Sequence, residues 1–270
     1  MPRLAVRKTY KLWIGGAFVR SESGRYDRAG HFNIPRGSRK DVRDAVKAAR
    51  AAAGPWAART AYNRGQILYR AAEALESRAD DIGAPRSEVD TAIDVLVHYA
   101  GWTDKLQPVM GGINPVAAPF LSFSLPEPTG VVGVIAPDAP PLLGLIAELA
   151  PVLAAGNTAV CLLSNEQPLP GLDLAEVLGI ADVPGGVVNL LSGRRAELAP
   201  VLAGHHALDA VVEVSGDAEL GAEIDRLAAE SVTRVRHAVP TRSYGDAVAD
   251  PLSRLEAVTE LKTAWHPVGA

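Results

Sequence analysis

Val131-Val132-Gly133-Val134-Ile135-Ala136, Thr158-Ala159-Val160-Cys161-Leu162-Leu163, Val187-Val188-Asn189-Leu190-Leu191 and Ala210-Val211-Val212-Glu213-Val214 are short apolar runs within residues 129–239. Each is too short for a helix and carries β-branched or other apolar residues on both faces. That is the pattern of a parallel strand buried on both sides. Pro141–Ala155, Leu169–Ile180 and Ala196–Ala203 lie between them and Ala218–Ser231 follows, each with apolar residues three and four apart. Strand–helix–strand units joined by right-handed crossovers give a doubly wound α/β sheet. Ligands of such sheets sit outside the carboxyl ends of the strands, so the strand-to-helix turns are where chemistry is to be sought.

The composition bounds the rest. The chain has 270 residues, 48% of them hydrophobic, enough for a substantial core and too many for general disorder. Its formal net charge is −4 with both signs interspersed, so it carries no electrostatic footprint for nucleic acid. The longest apolar stretch, 140–155, is interrupted by Glu148, which argues against a membrane span. The N-terminal MPRLAVRKTYKLW has basic residues but no apolar segment ahead of a cleavage site, and a single cysteine cannot form an internal disulfide. A cytoplasmic location is the expectation.

Taken in order, residues 1–9 read as a loose arm, and Tyr10–Ile14 and Phe18–Arg20 as a hairpin about Gly15-Gly16. Ser21–Arg36 reads as loop. Ser38-Arg39-Lys40-Asp41 is a capping box with Asp as its acid, opening a helix that should stop near Gly54-Pro55. Further helices are predicted over about 61–82 and 87–106, the first ended by Gly83 and Pro85. Gly111–Pro119 is a connector, Phe120–Leu125 suits an exposed strand, and Pro240–Pro251 is a turn-rich linker. The tail to Val268 reads as a short strand or a fraying helix that needs something to dock on.

Several of these segments, in this order, resemble the aldehyde dehydrogenase superfamily. Leu12-Trp13-Ile14-Gly15-Gly16-Ala17-Phe18-Val19 is similar to its opening hairpin, and Pro128-Thr129-Gly130-Val131-Val132-Gly133-Val134-Ile135 to its first core strand. Ala150-Pro151-Val152-Leu153-Ala154-Ala155-Gly156-Asn157-Thr158 is close to the family's APALAAGNT segment. Pro184-Gly185-Gly186-Val187-Val188-Asn189 resembles its P-x-G-V-V-N motif, and Leu261-Lys262-Thr263 with Trp265 its VKTVW terminal strand. The resemblance implies a Rossmann-like NAD(P)-binding domain over residues 1–240, with N-terminal helices, interrupted by an arm strand at about 117–127. Residues 241–270 would form a linker and a C-terminal oligomerisation strand. It further implies that Phe120, Phe123, Leu125, Leu261, Thr263 and Trp265 build a small β oligomerisation arm.

The departures fall on the chemistry. In the turn Ala136-Pro137-Asp138-Ala139-Pro140, Ala139 stands where the family has its oxyanion-binding asparagine. Leu162 and Asn165 replace the lysine and glutamate that hold the adenosine ribose. The cofactor loop survives as Val214-Ser215-Gly216-Asp217-Ala218-Glu219-Leu220-Gly221, with Asp217 in place of a serine, and a carboxylate there repels a pyrophosphate. Ala238 stands at the position of the general-base glutamate and cannot take a proton. After it the chain passes almost directly to the terminal strand, which implies that the catalytic domain with its nucleophilic cysteine is missing.

Other candidates have bland readings. Cys161, in mid-strand, reads as a small core residue rather than a nucleophile. Gly216–Gly221 could cradle a phosphate, but Asp217 and Glu219 already suit the helix start. Gly193 with Arg194 and Arg195 could hold a nucleotide phosphate or simply begin a solvated helix. His205-His206 lacks the spaced carboxylates of a metal site, and His98 reads as packed or interfacial. The expectation is therefore a catalytically inactive subunit acting in assembly, with no bound cofactor and no metal. Its partner would be itself or a full-length aldehyde dehydrogenase subunit. The alternatives are weak NAD or NADP binding, half of a shared active site, or independent dehydrogenase activity.

Overall fold

In the computed structural model, which describes Leu4 and residues 6–268, the hairpin about Gly15-Gly16 forms as β1 (Leu12–Ile14) and β2 (Ala17–Val19). The stretch expected to be loop holds a second hairpin, β3 (Tyr26–Ala29) and β4 (Phe32–Pro35). Its alternation of exposed polar and half-buried residues is too short to stand out in sequence. The capping box forms: Ser38 Oγ accepts the Asp41 N–H while Asp41 Oδ2 accepts the Ser38 N–H at 2.7 Å. Helix α1 (Arg39–Ala57) runs through Pro55 in its last turn, at the loss of the one ladder bond that a residue with an N–H would make there. The second predicted helix ends early, as α2 (Ala61–Ser77) with a 3₁₀ turn over Ala79–Asp81. The third is also shorter, α3 (Arg86–Ala100), and is followed by α4 (Leu106–Met110).

The connector contains β5 (Gly112–Asn114), and β6 (Phe120–Pro128) follows. The alternating core units are β7 (Val131–Ile135), α5 (Pro141–Ala154), β8 (Thr158–Leu162), α6 (Leu169–Ile180), β9 (Val188–Leu191), α7 (Arg195–Ala203), β10 (Ala210–Glu213) and α8 (Ala218–Ala229). Strand β11 (Arg234–His237) closes one edge. The sheet order is β11-β10-β7-β8-β9-β1-β2, parallel from β11 to β9, with the hairpin antiparallel at the far edge. Side chains alternate between two cores as the pleat requires. Val132, Val134, Ala159 and Cys161 face one core with α2, α3, α5 and α6. Val131, Ile135, Val160 and Leu162 face the other with α1, α7 and α8.

Beyond β11, residues read as linker carry α9 (Tyr244–Val248) and α10 (Pro251–Glu256), whose Ala247 and Leu255 are fully buried. The tail is a nine-residue strand, β12 (Thr259–Pro267), paired antiparallel with β6 along its whole length. The order β12-β6-β5 makes a separate three-stranded arm sheet. Pro126 and Pro128 are tolerated in β6 because they lie beyond the reach of β5 and pair only with β12. The arm expected of residues 1–9 has residues 1–3 and 5 outside the described part. Its Lys8 is pinned to Glu176 at 2.9 Å, with Asp173 beside it.

Candidate functional site

The carboxyl ends of the parallel strands open onto a crevice of about 570 Å³, lined by Asp138, Asn165, Arg194, Arg195, Asp217 and Glu219. Backbone N–H groups at helix starts are the natural anion donors of such a crevice. Here the protein's own oxygens take several of the amides at the strand-end turns. Glu88 Oε1, from α3, accepts the Leu142 and Leu143 N–H groups at 2.7 and 3.0 Å. After β8, Asp138 Oδ1 accepts the Asn165 and Glu166 N–H groups at 2.6 and 3.2 Å, and Ser164 Oγ accepts that of Gln167 at 2.8 Å. Asn165 Oδ1 accepts the Arg195 N–H at 3.2 Å, and Asp217 Oδ1 accepts those of Glu219 and Leu220, both at 3.1 Å.

Of the two arginines of the crevice, Arg195 is spent in the same way. Arg195 grips Asp138 with two nitrogens, each bond 3.0 Å, and Nη2 also donates to the Ala136 carbonyl at 2.8 Å. Burial alone would raise the Asp138 carboxyl, but the Arg195 guanidinium, the Ser164 hydroxyl and a backbone N–H outweigh it and hold the group below the usual carboxylate range. At neutral pH the pair is thus fully ionised, a bidentate clamp joining the β7–α5 turn to the start of α7.

The residues singled out in sequence separate accordingly. Ala136, Pro137 and Val214 are buried in the strand ends, and Ala139 is exposed on the turn. Leu162 is 1% exposed and packs beneath α7 and α8 with Leu220, so it lines the core rather than a ribose subsite. Gly193 is explained by close chain approach, since a Cβ there would lie 3.0 Å from the Gly37 nitrogen. Gly216 (φ +75°) serves a turn that L side chains resist. Ala238, half-buried, donates its N–H to the Glu213 carbonyl at 2.9 Å and offers no base. Cys161 is fully buried and its thiol is pushed up by desolvation, as a core residue's should be. Among the described residues no group of three or more His, Cys, Asp or Glu side chains could hold a metal. Sequence reasoning missed the Asp138–Arg195 pair and the Glu88 cap. The signal was an acid in one strand-end turn and an arginine in another, but 57 positions separate the partners.

At the sheet edge His237 lies between carboxylates, with Nε2 2.9 Å from Asp225 Oδ1 and Nδ1 3.4 Å from the buried Glu213 Oε2. The Asp225 contact, then Glu213, raises its pKa against a smaller opposing effect of burial. The stabilisation is therefore complete below the ordinary histidine value of about 6.5 and lost as pH rises through the elevated one. His237→Asn should lower stability at pH 5.5 by less than roughly 1 kcal/mol for so exposed a pair, seen as a slightly lower Tm, and the difference from the wild type should vanish by pH 9. A gap that widens with pH in thermal melts would contradict this.

The expected arm residues all fall on the arm sheet, but on opposite faces. Register puts Phe120, Leu261, Thr263 and Trp265 on one face, and Phe123 and Leu125 on the other. Trp265 packs edge-on against Phe120 at 6.1 Å, and Thr263 Oγ1 bonds Ser124 Oγ at 2.8 Å. Leu261 and Trp265 remain 57% and 60% exposed.

Comparison with known proteins places this architecture. The model of the aldehyde dehydrogenase family matches residues 25–243. The putative aldehyde dehydrogenase DhaS of Bacillus subtilis is 32% identical over 249 residues, covering 84% of this chain and 50% of that protein. The 2-hydroxymuconic semialdehyde dehydrogenase of Pseudomonas sp. strain CF600 is 32% identical over 266 residues, covering 90% and 54%. Among solved structures, the NAD+ complex of a Bacillus cereus aldehyde dehydrogenase superposes with a TM-score of 0.79 at 29% identity, covering 86% of this chain and 51% of that one. The chain spans about half the length of the curated relatives it matches. By sequence and by fold alike, this chain belongs to the aldehyde dehydrogenase family.

Proposed function

We propose that this chain is an aldehyde-dehydrogenase-fold subunit that acts in assembly rather than in catalysis, joining a second copy of itself or a full-length aldehyde dehydrogenase through its arm sheet. The observation that carries the reading is the partial consumption of the crevice: several amides at its strand-end turns, and Arg195, are committed to Glu88, Asp138, Asn165 and Asp217.

NAD, which the Bacillus cereus relative binds, does not fit this donor set. Asp138, Asp217, Glu219 and Glu223 line the crevice against Arg194 and Arg195 alone. A pyrophosphate there would meet net negative charge and would have to break a bidentate ion pair. With Cys161 sealed in the core, no thiolate is available for covalent catalysis among the described residues. The arm, by contrast, keeps apolar side chains exposed on both faces, as a surface built to be covered does.

The test couples two measurements on the purified protein. Calorimetric titration with NAD and NADP to millimolar concentration should give no heat, and light scattering should give a mass above that of one chain, alone or after mixing with a full-length relative. Cofactor-dependent aldehyde oxidation, or a monomer that joins no relative, would end the reading. Weak nucleotide binding remains a second reading because the Arg194 side chain is 58% exposed at the crevice; heat at millimolar NAD, abolished in Arg194→Ala, would favour it.

A further inference from the structure

A second cavity, of about 500 Å³, lies away from the strand ends, where α1 meets α2 beneath the roots of β6 and β12. Its walls are mixed, apolar from Ala53, Ala61, Leu106 and Pro128 and polar from Arg64, Gln107, Thr103, Glu127 and Thr259. The Arg64 guanidinium lies against Gly156, where a Cβ would come 3.5 Å from its Cζ.

This guanidinium has no counterion. Among the described residues no carboxylate lies within ion-pair distance of it, and the one acid of the wall, Glu127, is paired with Lys262. Nη1 donates to the Arg59 carbonyl at 2.6 Å and more weakly to that of Ala57, at the end of α1. Nε is buried with no acceptor, and Nη2 has none among the described residues. Burial lowers the group's pKa with no acid to raise it back. A partly buried cation left in this condition is costly unless an anion joins it. The contrast with Arg195, Arg236 and Arg254 is direct, since each of those is matched to a carboxylate.

We propose that this cavity is a binding site for a small organic carboxylate, its charge on Arg64 Nη2 and its short apolar body against the alanine, leucine and proline walls. A free guanidinium N–H suits a carboxylate oxygen, and the alanine, leucine and proline side chains favour a carboxylate with a short hydrocarbon body over inorganic phosphate. The site is separate from the crevice, and the roots of the arm strands, Pro126, Glu127, Pro128 and Thr259, form part of its wall.

Thermal melts of the full chain in sodium propionate, with sodium chloride and sodium phosphate at matched ionic strength, test it. Propionate should raise Tm saturably by roughly 2–4 °C, chloride and phosphate by less. Arg64→Gln should abolish the propionate shift. Should that variant not fold, Ala61→Leu, which fills the cavity and leaves the guanidinium in place, should abolish it too. No shift in propionate, an equal shift in chloride or phosphate, or a shift that survives either folded variant overturns the assignment.

Discussion

Glu148→Ala is expected to destabilise the protein by about 3–5 kcal/mol, the cost of leaving buried charge uncompensated. At roughly 2–4 °C per kcal/mol for a chain of this size, Tm should fall by about 10 °C. The Glu148 side chain is 1% exposed on α5, with Arg236 of β11 at 2.6 Å on one oxygen and Arg254 of α10 on the other. Arg254 also donates to Thr241 Oγ1 at 2.9 Å, and Tyr99 to the Ala247 carbonyl at 3.2 Å, so this triad fastens residues 241–258 onto α3 and α5. Removing the carboxylate strands two guanidinia whose side chains are only 22% and 10% exposed. Replacing all three members by methionine should be much milder, because it removes the desolvated charges together. Urea or thermal unfolding measures both. The account fails if the single variant is as stable as the wild type, or if the triple variant is the worse of the two.

The second large effect is on mass. Under the proposed assembly, Leu261→Asp combined with Trp265→Asp should reduce the complex to single chains, because charges would enter the face on which Trp265 packs against Phe120. Losing two central anchors at about 2 kcal/mol or more each weakens association roughly a thousandfold. Both side chains are mostly exposed in the isolated chain, so monomer stability should change little. Sedimentation velocity reads the mass and circular dichroism the fold. An oligomer that persists in the double variant would move the interface elsewhere; a lone Lys262→Ala change, on the opposite face, serves as the control.

How much could be read beforehand differs between fold and site. The parallel strands β7 to β10 announce themselves because burial on both faces demands unbroken apolar runs, and the helices between them because one apolar stripe must face the sheet. The β3–β4 hairpin, the passage of α1 through Pro55, and α9 with α10 were not legible. Hairpin pairing and the Glu148 triad hold those segments, and neither leaves a local pattern. The tail shows why: strand and fraying helix are both open to Leu261–Trp265 as sequence, and nine residues of pairing with β6 decide for strand.

The departures from the family's motifs at Ala139, Ala238, Leu162 and Asp217 were visible in the chain itself, since each changes what its position can donate or accept wherever it sits. The pairings that now surround those positions were not. Arg195 in isolation reads as a solvated helix start or a phosphate ligand; beside Asp138 it is a clamp. Glu148 in isolation reads as an interruption of an apolar run; between Arg236 and Arg254 it fastens an edge of the core. The sequence by itself determined the periodicities, and with them the layered sheet, because burial acts on neighbours along the chain. Only the tertiary structure decided which charges meet, because ion pairing depends on distances of a few ångströms between residues far apart in the chain.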